Sequence, residues 1–462
     1  METNTTIDDI SVNLSKEQEN FIDLFRSGKN IVLSAAAGSG KSFVLNHIRN
    51  NILSDEDKCS VVFTSSTAIS ALLINGVTAH SYLGIGIGEG DYKNWIRYTN
   101  RFNIRARGDY LSTLKTLIID EFSMLNSQFI DNLDLFLRLK KNKTYNSKPF
   151  GGVQIILIGD IFQLDNVSGN SITESDIFKD GWKFITFVES HRQKCKIFQK
   201  MLEDIKFNSS FDLLLENIEI INSVHKVEND EGVNKLEDFT LLVSTNEEVE
   251  KYNNYMIKKL GFVNMKTFKP IVYNKTNSKY LSKFHIFDLS LCVGCKVLIT
   301  FNISPELCNG RSCIIRNLDG DSIGVSLWED FKINGELAQI HTITYIDRIE
   351  DSVVMSEGKG KIKQTKLFSY IPLKIGYAIT VHKSQGATLD KVLLDIDRVF
   401  NLSQLYVAVG RVRNVKDIII ISKYKKELKE NLLYISNRSE YNINQKKKFY
   451  SRFIVSMFTN QI

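Results

Sequence analysis

A loop of small residues, AAAGSGKS, runs from Ala35 to Ser42 between an apolar stretch and a segment with helical spacing. Gly38 and Gly40 let backbone N–H groups turn towards an anion, and the start of the following helix adds partial positive charge. Lys41 can reach the terminal phosphates of a nucleotide, and the Ser42 hydroxyl can ligate Mg²⁺. Ala35 departs from the usual first glycine and has less conformational freedom. The predicted nucleotide-binding residues are Ala35, Ala36, Ala37, Gly38, Ser39, Gly40, Lys41 and Ser42.

Two acidic residues, Asp120 and Glu121, follow a later apolar run. A carboxylate at the end of a buried parallel strand projects to the edge of the sheet where phosphates bind. We predict that Asp120 holds Mg²⁺ together with Ser42, and that Glu121 orients and deprotonates the attacking water. Gln163, which follows a third apolar run, suits sensing of the γ-phosphate and its water. The predicted cofactors are ATP and Mg²⁺.

Short apolar runs alternate with helical patterns along most of the chain, and their positions indicate strands. The runs lie at 31–33, 61–63, 117–119, 153–158, 241–243, 392–394 and 418–421. Continuous runs of this kind suit strands buried on both faces, as in parallel sheets covered by helices. Between about 286 and 372 the pattern changes to short strands, such as 296–299 and 341–345, separated by Gly, Asn and Asp turns. The predicted fold class is α/β with parallel sheets and an inserted β module.

Length and composition exclude several protein classes. A chain of 462 residues suggests about three domains at ~150 residues each. Its 43% hydrophobic content excludes wholesale disorder, and no apolar run approaches the ~18 residues of a membrane helix. Six cysteines are too few for a disulfide scaffold, and the first residues lack a signal-peptide pattern. We expect a soluble intracellular protein, nuclear or cytoplasmic, with no membrane partner.

Positive charge is concentrated near the C-terminus. Residues 423–452 hold nine basic and three acidic residues, a balance of +6. This balance equals the net charge of the whole chain. Such segments often contact phosphate backbones. The alternative is a solvated tail, and the sequence leaves both open.

The motifs together resemble those of a known enzyme family. They occur in family order as Gln18, 35–42, Thr67 with His80 and Ser81, Asp120 with Glu121, Gly159 and Asp160 with Gln163, Arg192 with Gln193, 376–386 and Arg411. This set resembles a superfamily 1B DNA helicase of the petite-integration-frequency (PIF) type, a relative of the RecD helicases. The resemblance covers roughly residues 14 to 422. It implies an ATP-dependent DNA helicase that translocates on single-stranded DNA, 5′-to-3′, and unwinds duplex DNA.

The resemblance also implies an architecture and further roles. Two RecA-like P-loop domains would bind ATP in the cleft between them, with a small wedge insertion in the first and an SH3-like β module inserted in the second. We predict the first domain at 1–185 with the wedge at about 86–110, the second at 186–285 and 373–462, and the module at 286–372. Gln18 would recognise adenine, and Arg192 and Arg411 would be the two arginine fingers that act with Lys41, Glu121 and Gln163.

Nucleic-acid contacts are predicted outside the nucleotide loop. Residues 91–107 interleave aromatic and basic side chains, which suits stacking on bases while cations follow phosphates. Trp95 has the largest ring there, and the alternative is an amphipathic element whose aromatic residues pack inwards. The expected partners are single-stranded and forked duplex DNA. The predicted DNA-binding residues are Thr67, His80, Trp95, Thr245, His382 and Lys383.

Two other hypotheses remain open at this point. Four cysteines at 292, 295, 308 and 313 suggest zinc, although their spacing is unequal and small buried hydrophobes are the more common role of cysteine. The motifs also fit a slow ATPase that acts as a nucleotide-switched nucleic-acid-binding protein, or an RNA helicase, since stacking tolerates both sugars.

Overall fold

The computed structural model describes residues 14–453 with gaps. The gaps are residues 37, 87, 102–109, 142–146, 165–169, 191, 208–209, 229–238, 262–264, 274–287, 302, 305–306, 308, 319, 321, 334–335, 357–361, 400, 423–431, 433–434 and 436–442. Ala37 of the predicted loop therefore lies outside the described residues, as do 102–107 of the aromatic and basic stretch, Cys308, and most of the basic tail before residue 443.

A six-stranded sheet, all parallel, forms the first unit. Its strands are β1 (Asn30–Ala35), β2 (Val61–Ser65), β3 (Val77–Thr78), β4 (Thr116–Asp120), β5 (Gln154–Gly159) and β6 (Trp182–Phe187), in the order β3-β2-β4-β5-β1-β6. β4 and β5 are buried along their whole length, so the predicted two-sided burial is confirmed. Parallel pairing brings the carboxyl ends of β1, β4 and β5 to one edge.

Helices connect these strands. They are α1 (Lys16–Arg26), α2 (Lys41–His47), α3 (Ala68–Leu73), α4 (Ala79–Leu83), α5 (Tyr92–Arg101), α6 (Tyr110–Thr113) and α7 (Ser127–Lys140). α2 follows β1 through the glycine-containing loop, as predicted, and continues into a π-helical turn at Ile48–Ile52.

The second unit begins with α8 (Lys196–Phe207), α9 (Phe211–Glu228), β7 (Thr240–Val243) and α10 (Asn246–Lys259). Strands with antiparallel pairing follow. They are β8 (Lys266–Phe268), β9 (Ile271–Val272), β10 (Leu289–Leu291), β11 (Lys296–Ile299), β12 (Ser312–Asn317), β13 (Ile323–Ile333), β14 (Glu336–Ile346), β15 (Ile349–Ser356), β16 (Ile362–Tyr370) and β17 (Leu373–Ile375). Five of them form the sheet β14-β13-β12-β11-β17, which we call the β module.

The chain then returns to the second unit. β18 (Ala378–Thr380), β19 (Val392–Asp395) and β20 (Ile418–Ile421) join β7 in a parallel sheet of order β18-β7-β19-β20. Helix α11 (Leu402–Val409) precedes β20, and a helix at 443–453, which we call α12, follows it. Helix α12 packs against β6 of the first unit. The domain boundaries given above stay predictions.

The apolar core explains how these parts hold together. One cluster runs through both parallel sheets and includes Leu157, Leu394 and Phe453. A second cluster covers the other face of the first sheet, and the β module has its own cluster. The module nevertheless contacts the second unit directly: Ser312 N donates to Asp390 Oδ2 at 2.7 Å.

Candidate nucleotide site and nucleic-acid contacts

The loop that joins β1 to α2 has the geometry of a phosphate cradle. Gly38 and Gly40 adopt positive φ angles of 81° and 87°, which glycine tolerates without steric cost. Gly38 is also closely packed, because a Cβ there would lie 2.4 Å from the Cβ of Arg192. Ala35 is extended at the end of β1, so the missing glycine causes no backbone strain. Lys41 Nζ donates to the Ala35 carbonyl at 2.9 Å and therefore lies across its own loop.

A cavity of about 530 Å³ opens beside this loop and is lined by Leu14, Ser15, Gln18, Gly38, Gly40, Phe43 and Glu189. Gln18 is 4% exposed, and its Oε1 accepts the backbone N–H of Ser15 at 3.1 Å. This capping box fixes the glutamine at the cavity wall. Phe43 is 47% exposed, so its ring offers a flat apolar surface next to Gln18, which matches the needs of a purine base.

Asp120 ends β4 at the edge of the sheet that faces the loop. Burial and the neighbouring Glu121 carboxylate raise the pKa of Asp120 to about 7, against the opposing charge of Lys41. Among the described residues, its Oδ1 is buried without a hydrogen-bond partner. A buried oxygen of this kind is costly unless a cation or water satisfies it. The position suits a group that binds a divalent cation.

Glu121 has an unusual backbone conformation and contacts the other unit. Its φ and ψ are 52° and 43°, a left-handed conformation that is uncommon for a residue with a side chain and costs free energy. Its Oε2 accepts a hydrogen bond from Gln385 Nε2 at 2.8 Å. Glu121 is buried in the first unit and Gln385 in the second. The predicted base therefore lies at the interface between the two parallel-sheet units.

The two predicted arginine fingers approach the same region. Arg192 Nη1 donates to the carbonyl of Gly410 at 2.9 Å. Arg411 is 1% exposed, and its guanidinium donates to the carbonyls of Val407, Ser384 and Ala387. Burial, with a contribution from Arg411, lowers the pKa of Arg192 to about 9. Burial also lowers the pKa of Arg411 to about 10, although Glu121 acts in the opposite direction.

Two cations, half-buried Arg192 and buried Arg411, thus lie close enough to influence one another and the Glu121 carboxylate. Holding two like charges together in a buried site is unfavourable. An added anion, such as a nucleotide phosphate, relieves that repulsion, so this arrangement favours anion binding at the interface.

Asp160 and Gln163 follow β5 and are also buried. Asp160 Oδ1 pairs with Lys206 Nζ at 3.2 Å, and its Oδ2 accepts the Tyr406 hydroxyl at 2.8 Å. Burial alone would raise the pKa of Asp160, but Lys206, Lys41 and Tyr406 lower it overall. In the part of the chain that the structure describes, Gln163 Oε1 has no hydrogen-bond partner, so it can accept a hydrogen bond from a ligand or from water.

The donor set fits the predicted cofactors. Within the described ranges, the buried oxygens without a partner include those on Asp120, Gln163 and Gln385, and all three residues belong to this interface. Hard oxygen ligands suit Mg²⁺, which is commonly held by one or two protein groups and substrate phosphates. Asp120 and Ser42 would hold the metal, and the loop backbone and Lys41 would hold the phosphates.

Three of the predicted DNA-contact residues, Thr67, His80 and Thr245, make local contacts within the protein. Thr67 Oγ1 accepts the backbone N–H of Ser70 at 3.2 Å, and exposed Thr245 caps α10. His80 packs on Phe129, with ring centroids 5.1 Å apart. These hydroxyls and this ring therefore have local structural roles, and their DNA contacts stay predictions.

His382 and Lys383 lie half-buried in a short 3₁₀ turn after β18. Burial lowers the pKa of His382. It also lowers the pKa of Lys383, against the opposing charge of Glu250. DNA contact by these two residues also stays a prediction.

The prediction that Trp95 faces DNA is wrong for this structure. Trp95 is 1% exposed, donates from Nε1 to the Gly88 carbonyl at 3.1 Å, and packs on Phe129 and Phe136 with ring centroids 5.4 and 5.9 Å away. The inward-packing alternative applies to this ring, because removing its large apolar area from water stabilises the fold. Tyr98, on the same helix, is 41% exposed and presents an accessible ring.

The zinc hypothesis finds no support among the described cysteines. Cys292, Cys295 and Cys313 are buried in the core of the β module. Burial raises the pKa of the Cys295 thiol to about 12, which disfavours the thiolate that zinc needs. Among the residues that the structure describes, no group of three or more His, Cys, Asp and Glu side chains could hold a metal. In the same part of the chain, no helix is both long and apolar enough to span a membrane.

Comparison with known proteins connects this geometry to a family. The family model for PIF1-like helicase matches residues 13–218. The chain is 28% identical over 88% of its length to the uncharacterized protein 030L of Invertebrate iridescent virus 6, and spans 90% of that protein. It is also 28% identical over 96% of its length to the ATP-dependent DNA helicase PIF1 of Danio rerio, and spans 68% of it. Residues 13–218 of the chain therefore resemble the PIF1-like helicases.

Solved structures share the fold of this chain. Unliganded Pif1 from Bacteroides sp matches with a TM-score of 0.70 and 24% identity, covering 95% of this chain and 97% of that one. The two parallel-sheet units are therefore RecA-like domains. Some vertebrate relatives are longer, since the chain spans 60% of the Mus musculus protein.

Several residues of the site were not predicted individually. Gln385 lies within the predicted motif 376–386, and its burial is what identifies it. Phe43 directly follows the loop, where an aromatic residue next to a phosphate cradle is the available signal. Lys206 belongs to an amphipathic helix and Tyr406 to a helix that is buried along nearly its whole length, and nothing in their spacing indicates a contact with Asp160.

Proposed function

We propose that this chain is an ATP-dependent DNA helicase that hydrolyses ATP between its two RecA-like domains. The observation that carries the proposal is the contact across the interface, in which Gln385 of the second domain donates to the Glu121 carboxylate of the first at 2.8 Å. A site assembled from both domains couples the state of the nucleotide to their relative position, which is what a translocating motor requires.

Each residue has a role that follows from its position. The loop and Lys41 bind the phosphates, while Gln18 and Phe43 contact the base. Glu121 deprotonates and orients the attacking water, and Gln163 senses the γ-phosphate. Bound Mg²⁺ would supply positive charge to the phosphate oxygens.

Arg192 and Arg411 are the arginine fingers of this proposal. They stabilise negative charge that develops on the transferred phosphoryl group. Arg411 is held by carbonyls of its own domain, so protein contacts alone orient its guanidinium. Such preorganisation avoids an entropic cost at the transition state.

The nucleic-acid partner is proposed to be single-stranded DNA and forked duplex DNA, with 5′-to-3′ movement. The names of the vertebrate relatives, ATP-dependent DNA helicase PIF1, support this choice of substrate. Tyr98, exposed on α5, is the ring that we propose for contact with the junction. The six DNA-binding residues predicted from the sequence are retained as proposals except for Trp95.

Strand displacement tests the proposal directly. Forked DNA and forked RNA of equal sequence are mixed with the protein, with and without ATP, and separated strands are measured. ATP-dependent separation of DNA is the expected result, and hydrolysis without separation would favour a nucleotide switch. Faster separation of RNA would favour an RNA helicase. Partial duplexes with a single 5′ or 3′ tail determine the direction.

A further inference from the structure

The C-terminal helix α12 packs on the edge of the first domain. Phe449 contacts Phe178 and Phe184, with ring centroids 5.3 and 5.6 Å apart. Phe453 lies 5.1 Å from Phe184, and Arg452 Nη1 donates to the Phe178 carbonyl at 2.8 Å. This helix, from the most basic part of the chain, therefore attaches to β6 through apolar and main-chain contacts.

One lysine of α12 is buried between the two domains. Lys446 is 2% exposed, and its Nζ donates to the Gln163 carbonyl at 3.2 Å and to Ser403 Oγ at 3.1 Å. Lys447 and Lys448, the next residues of the helix, are exposed. Of the two interpretations of the basic segment 423–452, neither phosphate contact nor a solvated tail applies to Lys446, because its ammonium group is enclosed by protein.

The two acceptors of Lys446 belong to different domains. Gln163 follows β5 of the first domain, whereas Ser403 lies in the first turn of α11 in the second. Helix α11 ends at Val409, two residues before Arg411. A single ammonium group thus connects the main chain of the phosphate-sensing glutamine to the helix that leads to an arginine finger.

Aromatic rings surround the same loop. Tyr450 of α12 lies 5.5 Å from the Phe162 ring and 5.5 Å from the Phe207 ring. Lys206, the partner of Asp160, has its Nζ 5.1 Å from the centre of the Phe162 ring and 5.7 Å from that of Tyr450. The segment from Asp160 to Gln163 is therefore enclosed by α8 and α12. Close packing of this kind restricts a loop to one conformation.

We propose that Lys446 is a positioning residue for ATP hydrolysis, which holds the Gln163 carbonyl in register with α11 when the two domains are closed. The inference rests on the proposed function. Lys446 does not touch the nucleotide; it acts by fixing the backbone from which the Gln163 amide extends. Loss of a hydrogen-bonding cation at a buried position leaves its acceptors without a partner and lets the loop shift.

The test compares Lys446→Met with Lys447→Met and Lys448→Met, which remove the same charge from the same helix. We measure kcat and KM for ATP at saturating single-stranded DNA, together with the salt dependence of DNA binding. Lys446→Met is expected to lower kcat at least about tenfold, because a misplacement of ~1 Å can cost up to ~100-fold. Its KM and salt slope are expected to stay at the wild-type values. The two exposed controls are expected to keep the wild-type kcat.

A double-mutant cycle separates positioning from a general structural role. If Lys446 acts through Gln163, Lys446→Met adds no further loss of kcat in a Gln163→Ala background, whereas independent effects multiply. Multiplying effects would overturn the proposal, and so would an unchanged kcat in Lys446→Met. A shallower salt dependence of DNA binding in Lys446→Met, with unchanged kcat, would instead indicate that Lys446 contacts DNA phosphates.

Two further measurements keep the test decisive. If Lys446→Met does not fold, Ser403→Ala removes one acceptor, and a loss of about fivefold in kcat is expected, equivalent to a hydrogen bond worth about 1 kcal/mol. No change in kcat there would overturn the proposal. The wild-type chain is assayed first, because absence of DNA-stimulated hydrolysis in the wild type refutes the proposed function independently of Lys446.

Discussion

Replacing Glu121 by glutamine removes the proposed base and leaves the surrounding contacts in place. Glutamine has nearly the same shape, and its side-chain oxygen can still accept the hydrogen bond that Gln385 Nε2 donates at 2.8 Å. The left-handed backbone at this position, with φ of 52°, is no harder for glutamine than for glutamate. The change also removes the Glu121 charge that contributes to the raised pKa of Asp120, so we expect no loss of metal affinity.

The size of the effect follows from these contacts. A positioned general base contributes ~10²–10⁴-fold to a rate, which corresponds to about 3–5 kcal/mol in activation free energy. Because the contact with Gln385 survives, the cost of a buried unpaired amide, about 1–3 kcal/mol, does not arise. Glu121→Gln should therefore lower kcat by that factor and leave ATP affinity almost unchanged.

Steady-state hydrolysis with single-stranded DNA and direct ATP titration measure the two quantities. Glu121→Ala is the matched control, since it removes the base and also leaves the Gln385 amide unpaired. The alanine variant should lose kcat and also bind ATP more weakly. A kcat for Glu121→Gln within about threefold of wild type would refute the proposed role, because no transition-state interaction would have been lost.

Further changes test the rest of the site. Lys41→Ala should weaken ATP binding and abolish turnover, and unchanged affinity in the ATP titration would contradict its phosphate contact. Arg192→Ala and Arg411→Ala should each lower DNA-stimulated kcat by up to ~10³-fold; only Arg411→Ala should also lower the melting temperature, because Arg411 donates to three carbonyls of its own domain. Tyr98→Ala should reduce duplex unwinding and keep single-strand-stimulated hydrolysis, and a parallel loss of both would assign the ring to packing. Trp95→Ala should destabilise the fold by about 3–5 kcal/mol, measured by denaturant unfolding.

The sequence was sufficient to predict the two parallel sheets and the phosphate loop. Runs such as 117–119 and 155–158 are continuously apolar, and that pattern has few alternatives to a buried parallel strand. Two glycines and a lysine within 35–42 are enough to indicate the conformation of the loop. Both signals are local, so neither depends on knowing the tertiary structure.

Other features depend on contacts between distant parts of the chain. Trp95 and Tyr98 are both aromatic and lie on one helix, and only the position of α7 determines which ring is buried. Lys446 and Lys447 are adjacent and chemically identical, yet one is enclosed and the other exposed. Gln385 meets a residue 264 positions away in the sequence. Composition and spacing carry no information about such pairs.

The attachment of the β module to the second domain determines how many parts of the molecule can move. Ser312 donates to Asp390, and Lys296 N donates to the Tyr377 hydroxyl at 3.0 Å. Gly310 lies so close to Thr388 that a Cβ there would be 2.4 Å from its carbonyl oxygen. Among the described residues, these contacts join the β module to the second domain, so we expect the module to rotate together with that domain. A rotation of the domain would then displace the far end of the module further than the interface between the domains.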